Sequence, residues 1–365
     1  MKFDILSEYC FVNMGQSPAS ETYNNNADGL PFYQGNADFG EIHPQTRIWC
    51  SAPVKIANKG DLLISVRAPI GALNIATEQC CIGRGLAALT PKLDKCRIKY
   101  IYFAIQSQIN FLIANGTGST FKAVNKNTLE NLLIPVSSLN KQDEIVNIFE
   151  KLNNIINKRK EQLLLMDNAV KSRFIEMFGD VIHNSKKWQN CLFSEITSSR
   201  LGKMLDAKQQ TGRNSYPYLA NFNVQWFRFN LKNLNKMDFD EKDRSEFELC
   251  EGDLLVCEGG EIGRCAVWHN ELQPCFFQKA LHRVRCNRQI ILPDYLSWWF
   301  RYNCDYGGFA ALAGSKATIA HLPGTKLKQL QVVVPPVELQ EQFVAFVKKT
   351  DKSKFVIQKS LNYLL

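Results

Sequence analysis

The sequence lacks the short motifs with which many enzymes bind nucleotides or metal ions. It contains no GxxxxGK[ST] phosphate loop, and the glycines of "CEGGEIG" at residues 257–263 lack the GxGxxG spacing of a dinucleotide site. There is no NPPY- or DPPY-like tetrapeptide typical of amino-methyltransferases, and no nearby Glu-x-Lys follows Pro293-Asp294, as one metal-dependent nuclease core would require. The five histidines lie far apart, which favours surface or hydrogen-bonded core positions over a general base. The sequence therefore offers no visible catalytic site.

Also missing are the patterns of secreted, zinc-binding and membrane proteins. The twelve cysteines include no CxxC pair, which predicts reduced and mostly buried thiols of a cytoplasmic protein. The first residues, "MKFDILSEYCFVNMG", carry scattered charges, and no apolar run reaches ~18 residues. We therefore expect neither a signal peptide nor a membrane helix.

What is present suits a folded protein with a mild positive charge. The 365 residues are 45% hydrophobic, which favours about two domains. The formal net charge of +9 permits a nucleic-acid partner without demanding one.

One phrase occurs twice in the chain. "KGDLLISVRAPIG" at residues 59–71 returns as "EGDLLVCEGGEIG" at residues 251–263. In each half a helical segment, a small-residue loop and an apolar strand follow in the same order. Pro135 and Pro335 are 200 residues apart, as are Gln142 and Gln342. This order predicts an internal repeat over almost the whole chain.

A long helix is predicted after each repeat. Residues 140–178 contain no glycine and no proline, and a helix of this length would span roughly 58 Å. Heptad spacing marks one face of it, at Ile145, Phe149, Leu152, Ile156, Leu163, Met166, Val170 and Met177. A similar stripe follows the second repeat, at Phe343, Phe346, Thr350, Ser353, Ile357, Leu361 and Leu364. Either stripe alone is typical of a core-facing helix, but two matching stripes predict that the helices pair antiparallel.

Polar and aromatic side chains are concentrated in loops beside the repeated phrase. Residues 15–40 are rich in Ser, Asn, Gln and Tyr, and residues 201–226 add Lys203, Lys208 and Arg213. Such side chains can read base edges, although a single loop of this kind is more often merely solvated. The phrase keeps its framework but changes its turn, so that Arg67 aligns with Gly259. This variation is what two recognition modules with different targets would have.

In both halves the chain resembles the specificity subunit of a type I restriction–modification system. The resemblance rests on the segments at residues 115–136 and 141–163 of the first half, and at residues 202–226, 244–268, 276–285 and 315–343 of the second. It implies an α+β fold of two pseudo-repeated mixed α/β target recognition domains, separated by a long antiparallel two-helix coiled coil. The expected bounds are 1–139 and 180–336 for the recognition domains, and 140–179 and 337–365 for the helices.

The resemblance also implies a function. Each recognition domain would read one half of a bipartite, asymmetric site in double-stranded DNA, and the helices would set the spacing and dock two methyltransferase subunits, with restriction subunits joining the complex. The chain itself would bind no cofactor; S-adenosylmethionine, ATP and Mg are expected in the partner subunits. The residues expected to contact DNA lie on polar loops or glycine-flanked turns: Gln34, Arg67 and Lys122 for the first half-site, and Lys203, Arg213, Asn214, Asn221, Glu258 and Lys316 for the second.

The sequence also allows two alternative functions, and it departs from the family pattern in one respect. A coiled-coil scaffold that binds only protein would explain the helices, and a fused methyltransferase or nuclease would need a motif that the sequence does not show. The second helix is shorter than the first, whereas members of the family usually carry a longer one. The spacing of the half-sites therefore stays open.

Overall fold

The computed structural model describes residues 2–116, 122–206, 210–310 and 321–364. The chain divides into two compact units, Met1–Asn157 and Lys158–Leu365, called here the N-terminal and the C-terminal unit. In the described ranges no helix is long and apolar enough to cross a membrane.

The N-terminal unit combines short strands with three short helices and the start of a long one. Its strands are β1 Lys2–Ile5, β2 Cys10–Met14, β3 Tyr23–Asn24, β4 Leu30–Tyr33, β5 Trp49–Cys50, β6 Ile56–Ala57, β7 Leu62–Ser65, β8 Leu73–Ile75, β9 Cys80–Ile82, β10 Leu86–Pro91 and β11 Leu133–Val136. Its helices are α1 Ile98–Gln106, α2 Ile109–Ala114, α3 Lys126–Glu130 and α4 Leu139–Phe178, of which α4 continues into the C-terminal unit.

The C-terminal unit repeats this order. Its strands are β12 Gln189–Leu192, β13 Thr197–Leu201, β14 Ser215–Leu219, β15 Val224–Gln225, β16 Arg228–Phe229, β17 Asn235–Asp238, β18 Leu254–Cys257, β19 Cys265–Val267, β20 Phe276–Phe277, β21 Leu281–Cys286 and β22 Gln331–Val334. Its helices are α5 Phe193–Ile196, α6 Glu241–Phe247, α7 Pro293–Asp305, α8 Gly324–Lys328 and α9 Val337–Leu364.

Sheet topology confirms the internal repeat. The order β2-β10-β7-β8 in the first unit corresponds to β13-β21-β18-β19 in the second, and the pair β1-β11 corresponds to β12-β22. In each unit one short strand pair is parallel, β4 with β9 and β14 with β20. The same backbone frame is therefore built twice, and the predicted α+β class is confirmed.

The residues that both copies of the repeated phrase share have structural causes. Asp61 and Asp253 are 3% and 2% exposed, and each carboxylate accepts the backbone N–H three residues earlier, of Asn58 at 2.8 Å and of Cys250 at 2.9 Å. Each aspartate thus closes the turn that starts the central strand, β7 or β18. A buried carboxylate requires such donors.

Glycine is required just before that strand begins and where the turn after it ends. Gly60 and Gly252 have φ of +89° and +87°, and Gly71 and Gly263 have φ of +93° and +78°. This region is costly for residues with a Cβ. The framework "GDLL…IG" therefore persists because its backbone geometry allows little else, while the residues between its ends are free to differ.

The register of the repeat differs from the sequence expectation by two residues. Gln142 and Gln340 are both fully buried. The Gln142 amide accepts from the Arg97 amide at 2.9 Å, and the Gln340 amide accepts from the Leu292 amide at 2.8 Å. Arg97 and Leu292 precede α1 and α7. The structural offset is therefore 198 residues, and the alignment of Gln142 with Gln342 is wrong, because the buried hydrogen bonds select Gln340.

Replacing Gln340 by alanine is expected to destabilise the C-terminal unit. Its Nε2 also donates to the carbonyls of Ile290 at 3.0 Å and Pro335 at 2.8 Å. Each buried group left without a partner costs about 1–3 kcal/mol, so the free energy of unfolding should fall by at least about 2 kcal/mol. Urea denaturation followed by tryptophan fluorescence measures it. Gln342→Ala, on the exposed side of the same helix, is the control and should unfold like the unmodified protein.

Within the C-terminal unit the two long helices pack antiparallel. Phe343 near the start of α9 contacts Phe174 and Phe178 near the end of α4, with ring centroids 5.4 Å apart in both pairs. Further along α9, Lys354 Nζ lies 2.6 Å from the carboxylate of Asp167, which is earlier on α4. The reversed order confirms the predicted antiparallel pairing for the part of α4 that belongs to this unit.

The predicted heptad stripes are largely confirmed, with three differences. In α4, Val170 and Met177 are buried, whereas Phe149 is 43% exposed and stacks on Phe103 at 4.9 Å. In α9, Ser353 is exposed and Lys354 takes its place against α4, because the lysine stem can cover apolar surface while its ammonium group reaches a carboxylate. Leu364, at the end of the stripe, is 36% exposed.

The cysteines are free, and most of them are buried, as the sequence predicted. Burial raises the pKa of the Cys80 and Cys275 thiols to about 12, so these thiols stay protonated and behave as small apolar side chains. Cys250 is the exposed exception.

Candidate nucleic-acid interface

Three chain segments of the N-terminal unit meet so closely that only glycine fits. A Cβ on Gly15 would collide with the carbonyl oxygen of Gly83, and a Cβ on Gly85 would collide with that of Gln34. A Cβ on Gly83 would lie 3.1 Å from the Cα of Gln34. The glycines thus allow the backbone at the ends of β2, β4 and β9 to meet in direct contact and form a floor.

An open depression of about 190 Å³ lies at this floor. Most of the side chains that line it are polar and two are arginines, whereas none carries a carboxylate: Ser17, Gln34, Gly35, Asn36, Ser65, Arg67, Ala68, Arg84 and Gly85. The structure thus brings Gln34 and Arg67, both predicted from the sequence, to one site. Such a set of donors suits a partner rich in hydrogen-bond acceptors.

Arg67 is held by its backbone, and its side chain is exposed. The Ser65 hydroxyl donates to the Arg67 carbonyl at 2.9 Å, and Arg67 pairs with Ala123 in an isolated antiparallel bridge. Lys122 precedes Ala123 and is exposed, so it adjoins the same edge. Among the described residues the Arg67 guanidinium has no carboxylate partner. The three residues predicted for the first half-site therefore lie in one neighbourhood.

The same place in the C-terminal unit is built from different side chains. Gly259 replaces Arg67 and bridges His321, as Arg67 bridges Ala123. The Asn221 side chain donates to the Gly259 carbonyl at 2.8 Å, and Arg264 donates to Asn221 Oδ1 at 2.7 Å. Glu258 is half-buried, and its carbonyl accepts from the Leu322 amide at 2.6 Å. The frame is retained, but the projecting arginine is absent.

These contacts bear on Asn221 as a predicted DNA contact. Both ends of its side-chain amide are used within the unit, by Gly259 and by Arg264. Reading a base would require it to exchange one of these partners. Its role in DNA contact stays a prediction, and the contacts themselves indicate that it positions the turn at residues 258–263.

Lys203, also predicted to contact DNA, is held by an ion pair. Its ammonium group contacts the Asp243 carboxylate and donates to the Asp238 carbonyl at 2.7 Å, and its side chain is 22% exposed. An ammonium group neutralised in this way would have to leave Asp243 to reach a phosphate. Lys203 therefore stays a prediction that this ion pair does not favour.

Arg213 and Asn214 are exposed on a loop that Asp238 supports. The Asp238 carboxylate accepts from the backbone amides of Thr211 at 2.6 Å and Gly212 at 2.9 Å. The hydroxyl of Thr211 also donates to this carboxylate, and these hydrogen bonds hold the pKa of Asp238 below its ordinary value. The loop is thus fixed while the Arg213 side chain projects outward. Lys316 lies outside the described residues.

Sequence reasoning missed Arg84 and Lys279. Arg84 follows Gly83, whose amide donates to the Tyr33 carbonyl at 2.8 Å; Lys279 follows Gln278, whose amide donates to the Leu219 carbonyl at 3.0 Å. Both side chains are exposed. Alignment of "CIGRGL" with "FFQKAL" at their final leucines places these two cations at the same position, and that was the available signal.

The described residues contain no group of three or more His, Cys, Asp or Glu side chains that could hold a metal ion. His282 is an example of a core histidine: it is 2% exposed and hydrogen bonds to the Leu322 carbonyl at 3.1 Å. Burial lowers the pKa of its imidazole, so it is neutral at pH 7.

Comparison with known proteins supports the resemblance read from the sequence. Residues 5–165 match the family model of the type I restriction modification DNA specificity domain. The putative type I restriction enzyme MjaX specificity subunit of Methanocaldococcus jannaschii is 40% identical over 159 residues, which are 42% of this chain and 37% of that protein. The match thus spans little more than a third of that relative.

Two solved structures extend the comparison. The HsdS subunit from Thermoanaerobacter tengcongensis is 46% identical over 41% of this chain and 36% of its own, with a TM-score of 0.38. The type I restriction-modification system S subunit from M. genitalium is 14% identical, covers 100% of this chain and 92% of its own, and has a TM-score of 0.59. The latter likeness shows that the fold extends over the whole chain.

Proposed function

We propose that this chain, whose residues 5–165 match the type I restriction modification DNA specificity domain, is the DNA sequence-recognition subunit of a type I restriction–modification complex. Each unit reads one half of a bipartite, asymmetric site in double-stranded DNA. The long helices set the spacing of the half-sites and dock two methyltransferase subunits, which restriction subunits join. A cytoplasmic location follows from this role.

The observation that carries the proposal is that both units share one backbone frame but differ in the side chains at the turn after its central strand. Arg67 projects from the turn in the N-terminal unit, and Gly259 occupies that place in the C-terminal unit. Sequence is read by side chains that reach base edges. A frame that is kept while the side chains of its turn change suits two domains that read two different DNA sequences.

Exposed apolar side chains on α4 and α9 support the docking of partner subunits. Leu164 and Leu165 on α4 are 60% and 58% exposed, and Phe355 and Val356 on α9 are 70% and 66% exposed. Apolar groups gathered on exposed helical surfaces often mark protein interfaces. Methyl transfer to adenine N6 and ATP-dependent cleavage would take place in those partners, which would bind S-adenosylmethionine, ATP and Mg; this chain contributes no catalytic residue.

These same side chains are the observation that favours the alternative, a protein-binding scaffold without sequence-specific DNA readout. The depression that Arg67 and Arg84 line, whose lining residues include no carboxylate, favours DNA recognition over that alternative. The net charge of +9 points the same way, because cationic surfaces attract the phosphate backbone.

The purified chain, incubated with S-adenosylmethionine and labelled duplexes from a random-sequence pool, is expected to retain duplexes with a shared bipartite motif and to transfer no methyl groups. With methyltransferase subunits added, methylation should appear at that motif. Turnover by the chain alone that a point mutation in it abolishes would show an enzyme instead. Capture of methyltransferase subunits with no enrichment of any motif would show a scaffold.

A further inference from the structure

Arg84 and Lys279 occupy the same point of the repeated frame. Each follows a residue whose backbone N–H donates a hydrogen bond to the last carbonyl of a strand in the parallel pair. Gly83 donates to Tyr33 of β4 in one unit, and Gln278 donates to Leu219 of β14 in the other. The repeat thus presents an exposed cationic side chain at one defined position in both units.

The backbone of each residue is anchored to the segment that leaves the first strand of the frame. The Arg84 amide donates to the Ser17 hydroxyl at 3.3 Å, and the Lys279 amide donates to the Lys203 carbonyl at 3.0 Å. The base of each side chain is therefore fixed, while its charged end is free to reach a ligand.

Neither charged group forms an ion pair with a described residue. Other cations near the frame do: Arg47 pairs with Asp38 at 2.5 Å, and Lys203 pairs with Asp243. Because those two are neutralised within their units, they serve the fold. Arg84 and Lys279 leave their charge available to a partner that supplies anionic oxygens.

The two units differ in what they keep and what they change. A contact to a phosphate is the same for every DNA sequence, whereas a contact to a base depends on the sequence read. A positive charge is kept where Arg84 and Lys279 lie, although its chemistry changes from guanidinium to ammonium. The arginine at position 67, by contrast, has no side-chain counterpart at Gly259.

We propose that Arg84 and Lys279 are equivalent phosphate-contacting residues, one for each half-site, which orient their units on the DNA backbone without reading bases. This inference rests on the proposed function and deepens it. It assigns sequence-independent contact to a pair of positions and leaves discrimination to positions that differ between the units, such as Arg67.

The test compares Arg84→Ala, Lys279→Ala and Arg84→Lys in the full chain. Two fluorescent duplexes serve as probes, one selected by the unmodified chain from a random pool and one with the same composition in scrambled order. Affinity for both is measured from 50 to 200 mM salt. Each alanine variant should weaken both duplexes by the same factor, about fivefold to tenfold, and lower the slope of log K against log salt by about one unit. Arg84→Lys should retain most of the affinity.

Lys59→Ala is the matched control. Lys59 is exposed and lies before β7, at the opposite end of that strand from Arg67, and its counterpart in the repeat is Glu251. Because the charge is not kept at this position, this variant should leave the affinities and the salt slope unchanged.

The outcomes separate the inference from the proposed function. Loss confined to the selected duplex, or a change in the motif selected by Arg84→Ala or Lys279→Ala, would make these residues base readers and overturn the inference; so would unchanged affinities and salt slope. An unmodified chain that binds both duplexes equally, or neither, would reject the proposed function itself.

Discussion

Replacing Phe174 by aspartate is expected to abolish cooperative folding of the C-terminal unit. Phe174 is 1% exposed, and its ring centroid lies 5.0 Å from that of Phe178, 5.4 Å from that of Phe343 and 5.9 Å from that of Tyr295. Truncation of such a ring alone costs about 3–5 kcal/mol, and a buried carboxylate without a partner adds several more. The sum approaches the whole stability of a typical domain, about 5–15 kcal/mol.

Thermal and urea denaturation followed by tryptophan fluorescence provide the measurement. Leu164→Asp is the control, because Leu164 is on the same helix and is 60% exposed; its transition should stay near that of the unmodified chain. Phe174→Leu should be intermediate, since it keeps apolar volume but loses the ring contacts. Equal melting of Phe174→Asp and Leu164→Asp would contradict the packing of α4 against α7 and α9.

Replacing Arg67 by alanine in the assembled complex is expected to relax specificity at one position of one half-site. The guanidinium can donate two hydrogen bonds to O6 and N7 of guanine, and such a pair discriminates by about 1–3 kcal/mol. We therefore expect guanine at that position, and a roughly 10- to 100-fold loss of preference for it. Arg67→Lys should recover charge but only part of the preference, because it lacks the planar fork.

Methylation motifs of the complex, read before and after each change, provide the measurement. Arg213→Ala is the counterpart in the C-terminal unit, where Arg213 is exposed on the loop supported by Asp238; it should alter only the other half of the motif. A duplex with 7-deazaguanine at the affected position should reproduce the Arg67→Ala loss, because it lacks N7. If either substitution altered both halves equally, the assignment of one reader to each unit would be wrong.

The repeat was predictable because its cause is local. Glycines at 60 and 71, and at 252 and 263, adopt positive φ, and Asp61 and Asp253 close the turns that lead into β7 and β18. Backbone requirements of this kind constrain residue type directly, so they stay legible in both copies. The helices were predictable for a related reason, since a heptad stripe without glycine or proline has few other structures open to it.

The offset between the repeats was less predictable. Two residues separate the aligned glutamines of the sequence from those of the structure, because Gln340 and not Gln342 carries the buried hydrogen bonds. Both lie in similar helical sequence, and only the position of the preceding helix selects between them. The same applies to Lys354, which replaces Ser353 in the helix contact once Asp167 is near.

By itself, then, the sequence determined that this protein has two copies of one mixed α/β frame, each followed by a long helix, because glycine conformations, buried carboxylates and heptad spacing constrain residue types along the chain. Only the tertiary structure decided which polar side chains are available to a ligand. Lys203 and Asn221 are of residue types that often contact DNA, but Asp243 and Arg264 engage their side chains. Arg84 and Lys279, by contrast, have no carboxylate partner among the described residues. Availability depends on partners distant in the sequence, and folding alone brings those partners together.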